Sequence, residues 1–202
     1  MYTILTDSCS DLSRQITSEF DRLEVLPLFY TISGVTSNEQ FDSEERGTAF
    51  YDRLRAGENC TTSQIPPAEF FDVFKKYAQK GEAVLGLIFS SALSGTYASA
   101  CVARDMVLEE IPDARIELID TLAASAGEGL IVYDALVNRK AGMSLEDNAA
   151  WIRERLQSYA HWFTVDDLNH LKRGGRVSAA TALFGTMLSI KPVLHVDDQG
   201  RL

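Results

Sequence analysis

Residues 83–99 read "AVLGLIFSSALSGTYAS": seven apolar residues, then ten dominated by small hydroxyls, with one Gly and one Tyr. The apolar run has the continuous character of a strand covered on both faces, as the strands of parallel sheets are. "ARIELID" (114–120) has the same character, and "SGTYASACVARDMVLEEI" (94–111) between them has helical composition. A strand, helix, strand, helix order that recurs in this way predicts a parallel sheet with right-handed crossovers.

Toward the amino end, "YTILT" (2–6) is a short β-branched strand. It ends at "DSCSDLS" (7–13), whose side chains accept hydrogen bonds from the open amides of a helix start. "RLEVLPLFYTIS" (22–33) gives one or two strands around Pro27, and "EERGTAFYDRLRAG" (44–57) is a helix with Phe50, Tyr51 and Leu54 on one face and Gly57 as its stop. "TTSQIPP" (61–67) reads as a turn. In "AEFFDVFKKYAQKG" (68–81), Pro67 suits the first helical turn, Phe70, Phe71, Phe74 and Tyr77 form the apolar stripe, and Gly81 ends it.

The pattern changes at 141–144, where "KAGMSLEDNAAWIRERLQ" (140–157) opens another amphipathic helix with a Ser-x-x-Asp start signal. Beyond it, "HWFTV" (161–165), "VSAATALFGTML" (177–188) and "IKPVLHVDDQGRL" (190–202) read as strand, helix and strand. The last strand ends in the turn signal "DDQG", from which a returning strand is expected. The expected fold class is α/β: an N-terminal parallel α/β sheet domain over 1–155, followed by a second, truncated α/β domain. Of that second unit, 156–202 would be the incomplete start of a C-terminal α+β domain.

With 202 residues, 46% of them apolar, the chain buries an ordinary core. Its net charge of -10 repels nucleic acid and anionic lipid wherever basic groups are not locally concentrated, so no nucleic-acid partner is expected. Cys9, Cys60 and Cys101 are odd in number and far apart, which indicates neither a disulfide framework nor a zinc site. No signal peptide and no run of membrane-spanning length is visible, so the cytoplasm is the expected compartment. The sequence carries no signal for an oligomeric state.

The hydroxyl-rich stretch at 90–96 is one of three similar loops, with 7–13 and 120–127, each between an expected strand and an expected helix. In an open parallel sheet all three emerge at the carboxyl edge, where ligands bind at the switch point. Open amides, helix dipoles and hydroxyls there suit an anion without a formal positive charge. Asp7, Ser8, Ser94, Gly95, Thr96, Ser125 and Gly127 lie in these loops, and Thr62 and Ser63 lie in the chemically similar 61–67 segment. Small hydroxyl residues also cap helices with no ligand involved, and the residues fit both readings. No P-loop, dinucleotide fingerprint or nucleophile elbow is present. No catalytic residue, metal ligand or cofactor is assigned. The alternative to a binding protein is a small-molecule transferase or hydrolase acting on a soluble anion at the same hydroxyls, with Ser94 borrowing a distant histidine.

"TDSCSDLS" (6–13), "TTSQIPPAEFFDVF" (61–74), "SSALSGTYASA" (90–100), "IDTLAASAGEG" (119–129), "FTVDDLNHLKRGGRVSAATALFG" (163–185) and "IKPVL" (190–194) occur in the order seen in DegV family proteins, which the chain resembles along its whole length. That resemblance implies a two-domain bacterial protein that buries a long-chain fatty acid between its domains. It further implies an acyl-carrying subunit, not itself an enzyme, which presents the carboxylate to a separate ATP-dependent fatty acid kinase for acyl phosphate formation in phospholipid synthesis. Carried over by motif, Thr62 and Ser94 would bond the carboxylate, with help from the Gly95 amide, and a histidine from beyond Leu202 would also reach it. Phe163, Leu183, Phe184 and Leu188 either line an acyl tunnel or form ordinary core, and Gly127 and Gly129 either let a tail pass close or open a helix. Lys172, Arg173 and Arg176 form a basic turn that is either solvated or a docking patch for the kinase or, in transient contact, for anionic membrane lipid.

Overall fold

The computed structural model describes residues 1–38, 44–165, 168–177 and 191–202. Its centre is a four-stranded parallel sheet in the order β2-β1-β6-β7, built from β1 (Tyr2–Asp7), β2 (Leu23–Leu26), β6 (Ala83–Ile88) and β7 (Ile116–Asp120). Ile4 pairs with Leu23 on one side and Leu85 on the other, and Leu85 pairs onward with Glu117. β1 and β6 are buried along their whole length, as continuous apolar runs in a parallel sheet must be.

Side-chain alternation along the strands divides the core in two. One face carries Ile4, Leu85 and Leu87 against Ile131, Val132 and Leu136 of α5 (Ser125–Lys140) and Ile152 of α6 (Leu145–Arg155). The other carries Leu5, Val84 and Ile88 against Phe70 and Phe74 of α3 (Pro67–Ala78) and Ala100, Ala103 and Val107 of α4 (Thr96–Glu110). Gly86 sits between those faces where a methyl group would come within 2.6 Å of Leu118, so its bare backbone lets β7 close onto β6. Burial of a side chain as large as Phe70 or Phe74 contributes about 1.5–3 kcal/mol.

Two expectations change here, and the reading of one or two strands around Pro27 resolves to two. "ARIELID" is not covered like β6: β7 is an edge strand, with Ile116 and Glu117 half-buried. Pro27 separates strands of two different sheets, since it lacks an N–H and ends the parallel ladder after Leu26. The segment read as a turn at 61–67 instead begins with a strand, β5 (Cys60–Ser63).

β5 pairs antiparallel with β3 (Phe29–Ile32), which also pairs with β4 (Val35–Asn38), making a small sheet in the order β4-β3-β5. Sequence reading missed β4, yet its signal exists: Ser33 and Gly34, both at positive φ, join two β-branched runs as a two-residue hairpin turn does. Further elements are α1 (Arg14–Glu19), α2 (Glu44–Arg55) and α7 (Leu168–Arg173), and a two-stranded antiparallel sheet of β8 (Trp162–Thr164) and β9 (Val193–His195). The turn after β9 is closed by the Asp197 carboxylate, which accepts from the amides of Gln199 and Arg201, and Ser90 Oγ donates to Gly200 O at 2.8 Å. The helix expected at 177–188 lies outside the described residues apart from Val177.

Candidate functional site

Because β1, β6 and β7 run parallel, the three hydroxyl-rich loops do share one edge of the sheet. Two of them, however, are filled by the protein's own carboxylates. Asp7, fully buried, accepts from Cys9 N and from Phe89 N, both at 3.0 Å, tying the loop after β1 to the end of β6. Asp120 accepts from Ser91 N at 3.1 Å and Leu122 N at 3.2 Å, tying the loop after β7 to the loop after β6. The amides expected to receive a ligand anion in these loops already hold an anion, and it is internal.

The other candidates there are structural too. Ser8 Oγ accepts from Leu28 N at 3.0 Å and holds the entry to β3. Ser125, at positive φ, donates its hydroxyl to the Asp11 carboxylate. Gly127 and Gly129 do make room, but for protein. A methyl group at 127 would lie 2.1 Å from His161 Nδ1, and one at 129 would lie 2.3 Å from Ser10 O. Between them Glu128 is fully buried; it accepts from Thr6 Oγ1 at 3.2 Å through one oxygen, while its other oxygen meets no donor among the described residues. Burial, and next the nearby Asp7, push its carboxyl well above the ordinary range. Burial likewise lowers the His161 imidazole.

The remaining hydroxyls converge. Thr62, Ser63 and Ser94 line one cavity of about 250 Å³ whose walls are Leu28, Phe29, Tyr30, Phe50 and Phe89. β5 supplies Thr62 and Ser63, and the turn before α4 supplies Ser94. Ser94 Oγ accepts from Thr96 N at 3.2 Å and shares a 2.9 Å hydroxyl contact with the buried Thr96, so Thr96 orients Ser94 from behind and does not itself line the cavity. Gly95 stands at the helix start as the seat for Gln64: a methyl group there would lie 1.9 Å from Gln64 Oε1.

The basic turn divides. Lys172 and Arg173 are exposed, whereas Arg176 is half-buried, donates Nε to Leu93 O at 3.2 Å and lines the same cavity as Ser94. His170 lines it as well. A wider groove of about 720 Å³ shares Phe50, Thr62, His170, Gly174 and Arg176 with this cavity and continues past Tyr51, Arg55 and Arg173. Sequence reading missed Tyr30, Phe50, Gln64 and His170, and took Arg176 for surface. Phe50 had a signal in its helical spacing with Leu54, and Gln64 and His170 stand inside motifs quoted above.

Phe163 is half-buried in β8 opposite Leu194 and is not among the cavity walls; Leu183, Phe184 and Leu188 lie outside the described residues. Cys9, Cys60 and Cys101 are half-buried and form no disulfide with one another. Among the described residues there is no cluster of His, Cys, Asp and Glu able to hold a metal ion, and no helix is long and apolar enough to cross a membrane.

Comparison with known proteins puts this geometry in context. A family model described as "Uncharacterised protein, DegV family" matches residues 1–202. A DegV domain-containing protein of Clostridium perfringens is 43% identical over 201 residues, covering 100% of this chain and 69% of that protein. Among solved structures, one described as fatty acid binding of a DegV family protein from Thermus thermophilus superposes with a TM-score of 0.83 at 35% identity, covering 99% of this chain and 69% of the other. A stearic acid-binding protein from Eubacterium ventriosum gives a TM-score of 0.83 at 28% identity, covering 98% and 68%.

Proposed function

We propose, on the premise that the chain belongs to the DegV family, that it binds a long-chain fatty acid with the carboxylate at Thr62 and Ser94. The observation that carries this reading is a single cavity lined together by Thr62, Ser94 and Arg176 and by Phe29, Tyr30, Phe50 and Phe89. A carboxylate needs donors, and hydroxyls plus one cation supply them. An acyl chain needs only apolar wall, and each buried methylene contributes about 0.8 kcal/mol, so a tail sheltered by these rings outweighs the head-group bonds. Structural neighbours described as binding fatty acids share the fold over nearly all of this chain.

The finer part of the proposal is that the protein is a carrier, handing its carboxylate to a separate ATP-dependent kinase. Two features support it: Lys172 and Arg173 are exposed on the segment that carries the cavity-lining His170 and Arg176, and the groove beyond the cavity is open to a partner. Hydrolysis or transfer at the same hydroxyls is less well supported. Among the described residues the Ser94 hydroxyl bonds Thr96 and no histidine nitrogen, so it lacks the adjacent base that a nucleophile requires.

The test is lipid extraction and native mass spectrometry of the purified protein, followed by titration with stearate. A co-purified long-chain acid, or tight binding of added stearate, is expected. Ser94→Ala or Thr62→Ala should weaken that binding by about 10- to 150-fold, the equivalent of one lost bond to a charged acceptor. A wild-type chain that neither retains nor binds a fatty acid would sink the proposal.

A further inference from the structure

The cavity draws its two key hydroxyls from different layers of the molecule, and something must hold those layers in register. Thr62 belongs to β5, which among the described residues is an edge strand of the small antiparallel sheet, bonded to β3 through the Tyr30 to Thr62 pairing. Three of its four residues are exposed. Ser94 belongs to the turn that starts α4, part of the main sheet's layer.

Two pins join the small sheet to that layer near its ends. At the entry to β3, Ser8 Oγ takes the amide of Leu28. At the exit of β5, Gln64 donates Nε2 to Ser99 Oγ at 2.8 Å, and Ser99 is buried on α4. The other end of the same amide, Oε1, occupies the space a side chain at Gly95 would fill, so the Gln64 amide lies against the backbone that immediately follows Ser94. The second pin is therefore the one that sits beside both hydroxyls: Gln64 is two residues after Thr62 and rests on the residue after Ser94.

From this geometry we infer that Gln64 is a positioning residue: it clamps the end of β5 to the start of α4 and sets the spacing between the Thr62 and Ser94 hydroxyls. The inference rests on the fatty-acid reading for its ligand. Its consequence follows from the different geometry of the two forces in the cavity. Hydrogen bonds to a carboxylate are directional and fall off steeply once donor and acceptor separate, whereas burial of a tail is non-directional. Loosening the clamp therefore costs head-group recognition and spares the tail.

The experiment compares stearate with stearyl alcohol, which has the same tail and a neutral head, each displacing a fluorescent fatty acid from the whole chain. Wild-type protein should prefer the acid. Gln64→Ala should lower stearate affinity by about tenfold or more while leaving stearyl alcohol almost unchanged, a split that general destabilisation does not produce. Ser99→Ala removes the same bond from the other side and should act in the same direction. The double variant should be little worse than either single one, because both break one interaction. Equal loss for acid and alcohol, or an unchanged preference in Gln64→Ala, overturns the positioning role while leaving the fatty-acid reading intact. A wild-type chain that binds neither ligand overturns both.

Discussion

The loop after β1 and the loop after β6 are made of nearly the same residues, small hydroxyls and one or two acids or glycines, and they lie side by side at one edge of the sheet. They do opposite things. The first is closed on itself and its neighbour by Asp7, whose buried carboxylate takes one amide from each loop. The second contains no acid of its own, borrows carboxylates from Asp7 and Asp120 for its early amides, and leaves Ser94 turned to an apolar cavity. In a hydroxyl-rich loop at a sheet's carboxyl edge, the protein's own carboxylates thus fill the early amides, and the proposed ligand contact is left to a hydroxyl further along, Ser94.

That contrast is best tested by breaking the closed loop. Asp7→Ala strips two amides of a charged acceptor inside the core, at roughly 1.5–3 kcal/mol per bond, and should lower unfolding free energy by about 3–6 kcal/mol in denaturant melts. Ser94→Ala, by comparison, loses only its bonds with Thr96 and should lower stability by about 0.5–2 kcal/mol, acting mainly on stearate binding. A small stability loss in Asp7→Ala would mean that its amides find other partners and that the two loops are more alike than they look.

A smaller effect separates protein packing from ligand passage at the start of α5. Gly129→Ala pushes a methyl group into the backbone carbonyl of Ser10, which cannot swing aside, and should cost about 1–3 kcal/mol. Gly127→Ala meets the His161 ring, which can move, and should cost less. Were an acyl tail to pass these glycines instead, both variants would lose stearate affinity with intact melting curves.

A pH-dependent effect concerns Glu128, beneath the closed loop. Its folded pKa lies above its unfolded value, so stability is fully present below the unfolded range near 4.5 and declines as pH rises toward the folded value. Glu128→Gln keeps the acceptor for Thr6 and cannot ionise. Paired thermal melts should therefore coincide near pH 4 and diverge with rising pH, the variant becoming the more stable. Parallel curves across the range would place the Glu128 proton elsewhere.

The elements of the main sheet were legible because each carries its own periodic signal. β6 is apolar without interruption, α3 repeats its phenylalanines at helical spacing with Pro67 at its start, and Ser144 caps α6 by accepting from Asp147 N. The small sheet was less legible. β4 and β5 are short and largely exposed, so they lack the alternation that burial of one face imprints on a strand. Arg176 was misread for a related reason: a basic residue on a glycine turn is usually solvated, and the carbonyl of Leu93 that turns it inward is distant in the chain.

From the order of residues alone came the alternation of strand and helix, the gathering of hydroxyl loops at one sheet edge, the family, and Thr62 and Ser94 as the pair to watch. Those depend on spacing within single elements and on motif order, which a linear chain displays. Which hydroxyls face the cavity, which amides are already satisfied, and which cation stands beside Ser94 were decided only by folding. Each turns on a bond between residues far apart in the chain, Asp7 with Phe89, Gln64 with Ser99, Leu93 with Arg176, and no local pattern records such a partner.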